Sequence, residues 1–462
     1  MAIAEGTAGT MKRYPPSGLD VLIVGGGLGG LTFAIEAYRK GHDVRILEKR
    51  PEFKGFGDVL SIECNALHTV KKWPGFYSRL QKISYKSDFH VKKYDGSWIG
   101  SWPFGDGENE SLAFNRNELH EQLCSYVQEL GIQLDLSINV EEYFETEKKG
   151  GVVLSDGREI TADIVVAADG VGSKSWSLVL GHRDVPISSG FACFRATFPT
   201  SVAMANPIIA KEMQNFGDRI SLHPGIGAHM VVGKTDRTIC YIMTHRGEES
   251  SEESWDKTGP ADRALQYLEG WDPFLTEMIK VTPNNRSTDW RLLWRNPQPQ
   301  WSSPHGRVVQ LGDSAHSFLP TSGSGAAMAM EDAYSLASCL QLGGKSNIPL
   351  AVRVHNLLRF ERVSCTQKMG FHNRELFHHA NWDEVARNPE IFSKVTGNWV
   401  KRHDPEEYVY TNYGFAVNHL LMGAPFENTN IPPGYKYKPW TVQELMNASD
   451  AGQPVVDEGD WS

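Results

Sequence analysis

Cysteine is scarce, six residues in 462, and none falls in a CxxC or a His-Cys cluster. Cys64, Cys124, Cys193, Cys240, Cys339 and Cys365 therefore read as reduced, mostly structural thiols of an intracellular, cytoplasmic protein. The histidines show no metal-ligand spacing, so no metal is expected. No Lys/Arg run offers a phosphate track, and a net charge of −10 argues against nucleic acid. No stretch approaches the roughly 18 apolar residues of a membrane span. Residues 1–17 lack the apolar core of a signal peptide and read as a disordered lead-in. Internal repeats are absent. What is left, 40% hydrophobic and 22% charged, is an ordinary globular composition with ample core, long enough for about three domains.

Against that background, three short segments stand out. The first is Val21-Leu22-Ile23-Val24 followed by Gly25-Gly26-Gly27-Leu28-Gly29-Gly30. Four apolar residues predict a buried strand, and the glycines turn the chain into a helix opening near Leu28. Gly25 permits the tight turn, Gly27 lets the backbone approach a pyrophosphate, and Gly30 lets helix pack on strand. The helix N-terminus, with its free N–H groups and positive dipole end, faces the anion. Gly41-His42 ends the helix, and Val44-Arg45-Ile46-Leu47 predicts a second parallel strand. Glu48 closes it, 18 residues after Gly30, where a carboxylate can accept both hydroxyls of a ribose. This pattern alone does not choose between NAD and FAD.

The second segment is Ile164-Val165-Val166-Ala167-Ala168-Asp169-Gly170. The third is Val308-Val309-Gln310-Leu311-Gly312-Asp313, leading through Pro320 to Gly325-Ala326 and a long helix to Leu340. Small residues at a strand end and helix start let a planar ring and phosphate linker approach the backbone. Asp313 can bond a ribitol hydroxyl, although a turn or N-cap aspartate reads the same way. In this order the three segments predict FAD bound end to end.

The fold class is α/β: a Rossmann-like FAD-binding domain, an inserted, mainly antiparallel β-sheet substrate domain and a helical C-terminal region. The expected boundaries are 18–187 and 296–370 for the cofactor domain, 188–295 for the insert and 371–462 for the tail. Residues 88–110 carry strand-like alternation (Phe89, Val91, Trp98, Trp102) and are assignable to the substrate region. Leu119, Leu123, Tyr126, Val127 and Leu130 recur at helical spacing before Gly131. A hairpin is expected around Ser155-Asp156-Gly157. Within the insert, strands are expected at 192–198, 208–213, 220–222, 229–232 and 238–243, with a helix at 261–271.

These motifs resemble the single-component aromatic flavin monooxygenases, in their salicylate-hydroxylase-like branch with its fungal secondary-metabolism enzymes. The resemblance covers most of the chain, and 325–333 is particularly like that branch. It implies that Glu48 binds the adenosine ribose, Arg116 contacts the flavin side and Asp313 holds the ribitol. Gly325 and Ala326 would present N–H groups to the isoalloxazine, Pro320 would lie over the ring, and Ser61 joins the cofactor-binding set. Asp169-Gly170 would couple FAD to a transient NADPH or NADH. Arg195 matches an active-site arginine of dearomatising and indole-oxidising relatives, and Asp58, in Gly55-Phe56-Gly57-Asp58, a carboxylate of the indole-oxidising ones. There are departures. Trp176 stands where the Asp-Gly motif usually ends in Arg, leaving Lys174 as the nearby cation. The tyrosine that accompanies Arg195 in dearomatising enzymes is replaced near Gly233. Without the resemblance, Arg195 reads as a surface ion-pair arginine and Asp58 as a turn residue.

The implied chemistry is reduction of FAD by NAD(P)H and addition of dioxygen at flavin C4a. The resulting hydroperoxide hydroxylates or epoxidises an electron-rich phenolic or indolic small molecule. Arg195 would stabilise developing charge there, with Asp58 as its partner or as acceptor of a substrate N–H. The expected partners are that aromatic substrate and O2, for a monomer or weak homodimer. A flavin halogenase is disfavoured, because Trp290-Arg291-Leu292-Leu293-Trp294 does not match Trp-x-Trp-x-Ile-Pro. A reductase of the geranylgeranyl type and a non-catalytic flavin-binding module remain as alternatives.

Overall fold

Five parallel strands form the base of the cofactor domain, in the order Val308–Gln310, Ile164–Ala167, Asp20–Val24, Asp43–Leu47, Gln133–Asp135. The computed structural model describes residues 11–52, 58–105, 110–182, 185–215, 217–247, 258–453, 455–456 and 458–462. The strands that lead into the three motifs are therefore neighbours: Val21 registers with Ile164, and Val165 with Val308. All three motif loops leave the same carboxyl edge, where ligands of open parallel sheets bind. Helices Leu28–Arg39 and Gly325–Gly343 pack on one face, burying Leu31, Phe33, Leu311, Ala333 and Leu336. An antiparallel meander (Val140–Glu145, Gly150–Leu154, Glu159–Ala162) covers the other. Burial on both faces explains why the central strands are unbroken apolar runs.

The inserted sheet has eight strands, ordered Thr258–Pro260, Arg286–Trp294, Ile187–Pro199, Thr238–Arg246, Ala228–Lys234, Arg219–Pro224, Phe89–Lys92, Trp98–Trp102. Pairing is antiparallel except between Arg219–Pro224 and Phe89–Lys92. Helices Pro207–Met213 and Pro273–Lys280 cover one face, over Phe194, Met230, Tyr241 and Met243. A separate two-stranded sheet, Val59–Ile62 with Leu112–Asn115, lies at the foot of the insert.

Several expectations need correction. The segment 208–213 is a helix, not a strand. Its β-branched residues suggest a strand, but Pro207 occupies the first turn and the Asn206 side chain accepts from the Ile208 N–H at 2.9 Å. Local capping outweighs propensity there. The helix expected at 261–271 is a 3-10 segment, Ala261–Tyr267, and the α-helix begins afterwards at Pro273, capped by Asp272. Strand Arg286–Trp294 was not anticipated. The lead-in is packed from Met11, which is buried; the N–H groups of Tyr14 and Ser17 donate to the Arg39 and Gly41 carbonyls. Residues 1–10 of it lie outside the described residues. Finally, helix Ile348–His378 runs straight through the expected boundary at 370/371. Gly370 lets it approach the third motif, since a Cβ there would lie 2.7 Å from that of Ser322.

Candidate active site

The glycine loop is built on close approach at two positions and open space at a third. Gly25 has φ +107°, and a Cβ on it would meet the Ala168 carbonyl oxygen at 2.3 Å. A Cβ on Gly30 would meet the Gly25 oxygen at 2.1 Å. At Gly27 nothing lies within 4 Å, and the helix it caps has neither a side-chain cap nor an acidic residue in its first turn. The result is an open cradle of N–H groups for a phosphate. Glu48 is buried at the end of the second strand and accepts from the Gly26 and Arg50 N–H groups, both at 2.8 Å. It thus props the loop that it is also placed to complete. His120, which the sequence did not single out, lies 2.7 Å from the Gly26 carbonyl oxygen through Nε2.

The second and third loops are tied together. Ser314 donates to Asp169 at 3.2 Å and accepts from the Gly170 N–H at 2.8 Å, while Tyr143 donates to Asp169 at 2.7 Å. Burial raises the Asp169 carboxyl above its ordinary range, against the hydrogen bonds from Ser173, Tyr143 and Ser314. Asp313 is half-buried on the same edge; burial raises its carboxyl too, while Arg116, His316 and Arg295 pull it down. Behind it, Asp332 accepts from His316 Nε2 at 2.6 Å, Arg359 Nε at 2.8 Å and the Gly312 N–H at 3.1 Å. Pro320 is exposed at the start of a 3-10 turn, and Gly325 and Ala326 are half-buried in a helix start without a side-chain cap. Ser61 is half-buried and its hydroxyl turns to Glu63 at 3.4 Å. Trp176 is 4% exposed, packed inside the domain, and Lys174 pairs with Glu141 on the surface. Neither supplies the Asp-Gly loop with a cation.

Asp58 and Arg195 meet across the domain junction. The Arg195 Nη1 donates to Asp58 Oδ2 at 2.5 Å, and the two residues are 4% and 9% exposed. Asp58 is brought there because it precedes strand Val59–Ile62, whose partner strand ends at Asn115; the Arg116 N–H donates to the Asp58 carbonyl at 2.8 Å. Burial lowers the Arg116 guanidinium, against the opposing charges of Asp313 and Asp58. Gly55, Phe56 and Gly57 lie outside the described residues. Arg195 sits on the third strand of the insert, opposite Ile242 and Thr288, with Trp290 at 5.4 Å from its guanidinium carbon. Ile242 and its neighbour Val231 are half-buried on central strands, on the same face as Arg195. Near this pair the insert packs tightly on the cofactor domain: a Cβ on Gly233 would lie 2.3 Å from Val59 Cγ2 and 3.0 Å from the Tyr85 hydroxyl. Among the described residues no group of three or more candidate ligands could hold a metal.

Comparison with known proteins agrees with this geometry. A family described as "FAD binding domain" matches residues 18–343. The FAD-dependent monooxygenase fsr3 of Gibberella fujikuroi is 39% identical over 97% of this chain and 91% of its own. The FAD-dependent monooxygenase mdpD of Emericella nidulans is 38% identical over 99% and 93%. Among solved structures, native FqzB superposes with TM-score 0.82 at 29% identity, over 91% of this chain and 98% of its own. CtdE in complex with FAD and substrate 4 gives 0.80 at 29%, over 87% and 99%. A salicylate hydroxylase substrate complex, 21% identical with TM-score 0.69 over 88% and 99%, shares the fold. The chain belongs to the FAD-dependent monooxygenases with the salicylate-hydroxylase-like fold.

Proposed function

We propose that this monooxygenase uses NAD(P)H and O2 to hydroxylate or epoxidise an electron-rich phenolic or indolic small molecule. The observation that carries the reading is the buried Arg195–Asp58 pair, 2.5 Å across the junction between insert and cofactor domain. The residues fit FAD. The open cradle at Gly27 would take the pyrophosphate, Glu48 the adenosine ribose and Asp313 the ribitol, with Arg116 at the flavin side. The N–H groups of Gly325 and Ala326 would serve the isoalloxazine carbonyl. FAD, once bound and reduced by NAD(P)H, supplies the activation of dioxygen.

The chain's own side chains orient the ring and handle its charge. The Asp58 oxygen other than the one that binds Arg195 accepts a hydrogen bond from a phenol O–H or indole N–H and so orients the ring. Arg195 stabilises negative charge where it develops during oxygen transfer. Half-buried Ile242, Val231 and Trp290 offer an apolar bed for a flat ring. A buried guanidinium needs an anion beside it, and Asp58 meets that need until substrate arrives.

The test is substrate-stimulated NAD(P)H oxidation across a panel of phenols and indoles, followed by turnover of the best one under labelled dioxygen. One labelled oxygen atom should enter the product. Label arriving only from water would refute the reading, and NAD(P)H oxidation without oxygen consumption would mark a reductase instead.

A further inference from the structure

We infer that Arg295 is a positioning residue for the cofactor, the cation that ties the Asp-Gly loop to the end of an inserted strand, on the edge that carries Asp313. It is the first residue after strand Arg286–Trp294 and is buried. Its Nη2 donates at 3.1 Å to the carbonyl of Val171, the residue that follows Asp169-Gly170. Its charge is one of those, after Arg116 and His316, that pull the Asp313 carboxyl down against its burial.

The loop's own segment does not provide such a group. Trp176 is packed into the domain, and Lys174 turns outward to Glu141. The cation comes instead from a residue 124 positions later in the chain. The strand that delivers it carries Trp290 over Arg195 and Thr288 opposite Arg195. The same β-strand therefore touches the cofactor loops at its end and the substrate side five residues earlier. A guanidinium suits this role because it stays charged when buried and donates in fixed directions.

The inference rests on the assignment of Asp313 to the FAD ribitol, and the experiment separates the two. Apo-protein is titrated with FAD, FMN and riboflavin for wild type, Arg295→Met, Arg295→Lys and Asp313→Ala, read by flavin fluorescence. Loss of a charge-assisted contact predicts that Arg295→Met weakens all three ligands by roughly ten- to a hundred-fold. The loss is common to all three because the ribitol is common to them. Arg295→Lys should recover part of the affinity, and the holo Tm of Arg295→Met should fall further than its apo Tm. Unchanged affinity in Arg295→Met, with Asp313→Ala impaired, overturns the inference alone. Unchanged affinity in Asp313→Ala overturns the ribitol assignment beneath it. An apo Tm lowered as much as the holo Tm would reduce Arg295 to a packing role, and weakening of FAD and FMN but not riboflavin would make it a phosphate ligand. Both results also overturn the inference.

Discussion

Under the proposed function two side chains divide the labour of this site, and each can be removed without disturbing the other's task. Glu48 accepts two backbone N–H groups and closes the glycine loop. In the proposed complex it would also accept from the two ribose hydroxyls, and charge-assisted hydrogen bonds of that kind are worth about 1.5–3 kcal/mol each. Glu48→Ala should therefore raise the FAD dissociation constant by at least ten-fold, measured by fluorescence titration of apo-protein. Arg195→Gln touches the substrate side alone. Its FAD affinity should equal wild type, while kcat falls on the order of 100-fold, the usual cost of removing a donor to developing charge. Steady-state oxygen consumption together with a flavin spectrum checks both halves. Wild-type turnover in Arg195→Gln would return that residue to an ordinary ion pair.

At the scale of elements, Gly233 and Val59 form a tight seam between insert and cofactor domain. Gly233→Ala would drive a methyl into Val59 Cγ2 at 2.3 Å and so displace the residue next to Asp58. Overpacking of this kind costs about 1–3 kcal/mol. The expected outcome is a lower denaturant midpoint and reduced turnover, both restored in Gly233→Ala/Val59→Ala. Turnover that falls without rescue would show that the seam does not set Asp58. The same seam shows what sequence reading reaches. The placement of the glycine loop, Glu48, Asp169 and Asp313 on one sheet edge was legible because each follows a strand of the parallel sheet at a fixed offset. The adjacency of Asp58 and Arg116 was not, because it depends on pairing Val59 with Asn115, a long-range register with no local signal. His120 and Arg295 were missed for the same reason: their partners are backbone carbonyls on distant loops. Asn-Pro at 206–207 and Asp-Pro at 272–273 were readable helix starts, and the β-branched residues beside the first drew attention away from it.

Across the whole molecule, buried titratable groups set an acid limit. Burial lowers His42 to about 4, and His223, His229 and His355 to about 3. Unfolded, these imidazoles titrate near 6.5. Between pH 6.5 and their folded values the unfolded chain binds more protons, so stability falls as pH falls, by about 1.4 kcal/mol per pH unit for each group. Glu331 and Asp332, held well below the ordinary carboxylate range by Arg362, Arg359 and His316 against their burial, extend the loss downward from about pH 4.5. Thermal unfolding followed from pH 7.5 to 4 should therefore show Tm dropping from near pH 6.5 and steepening toward pH 4. A flat profile across that window would contradict the burial of these histidines.

The strand order of the parallel sheet has a consequence for synthesis. Val308–Gln310 pairs with Ile164–Ala167, so the nucleotide-binding edge lacks one of its walls until the ribosome has released more than 310 residues. The eight-stranded insert is complete earlier, its last strand ending at Trp294. A nascent chain thus carries a nearly finished insert on an unfinished cofactor domain, with the apolar flank of Ile164–Ala167 unpaired. Non-local pairing of this kind folds slowly and leaves intermediates prone to aggregate. Flavin supply matters most in that interval, because ligand that binds the closed edge draws the late strand into place by mass action.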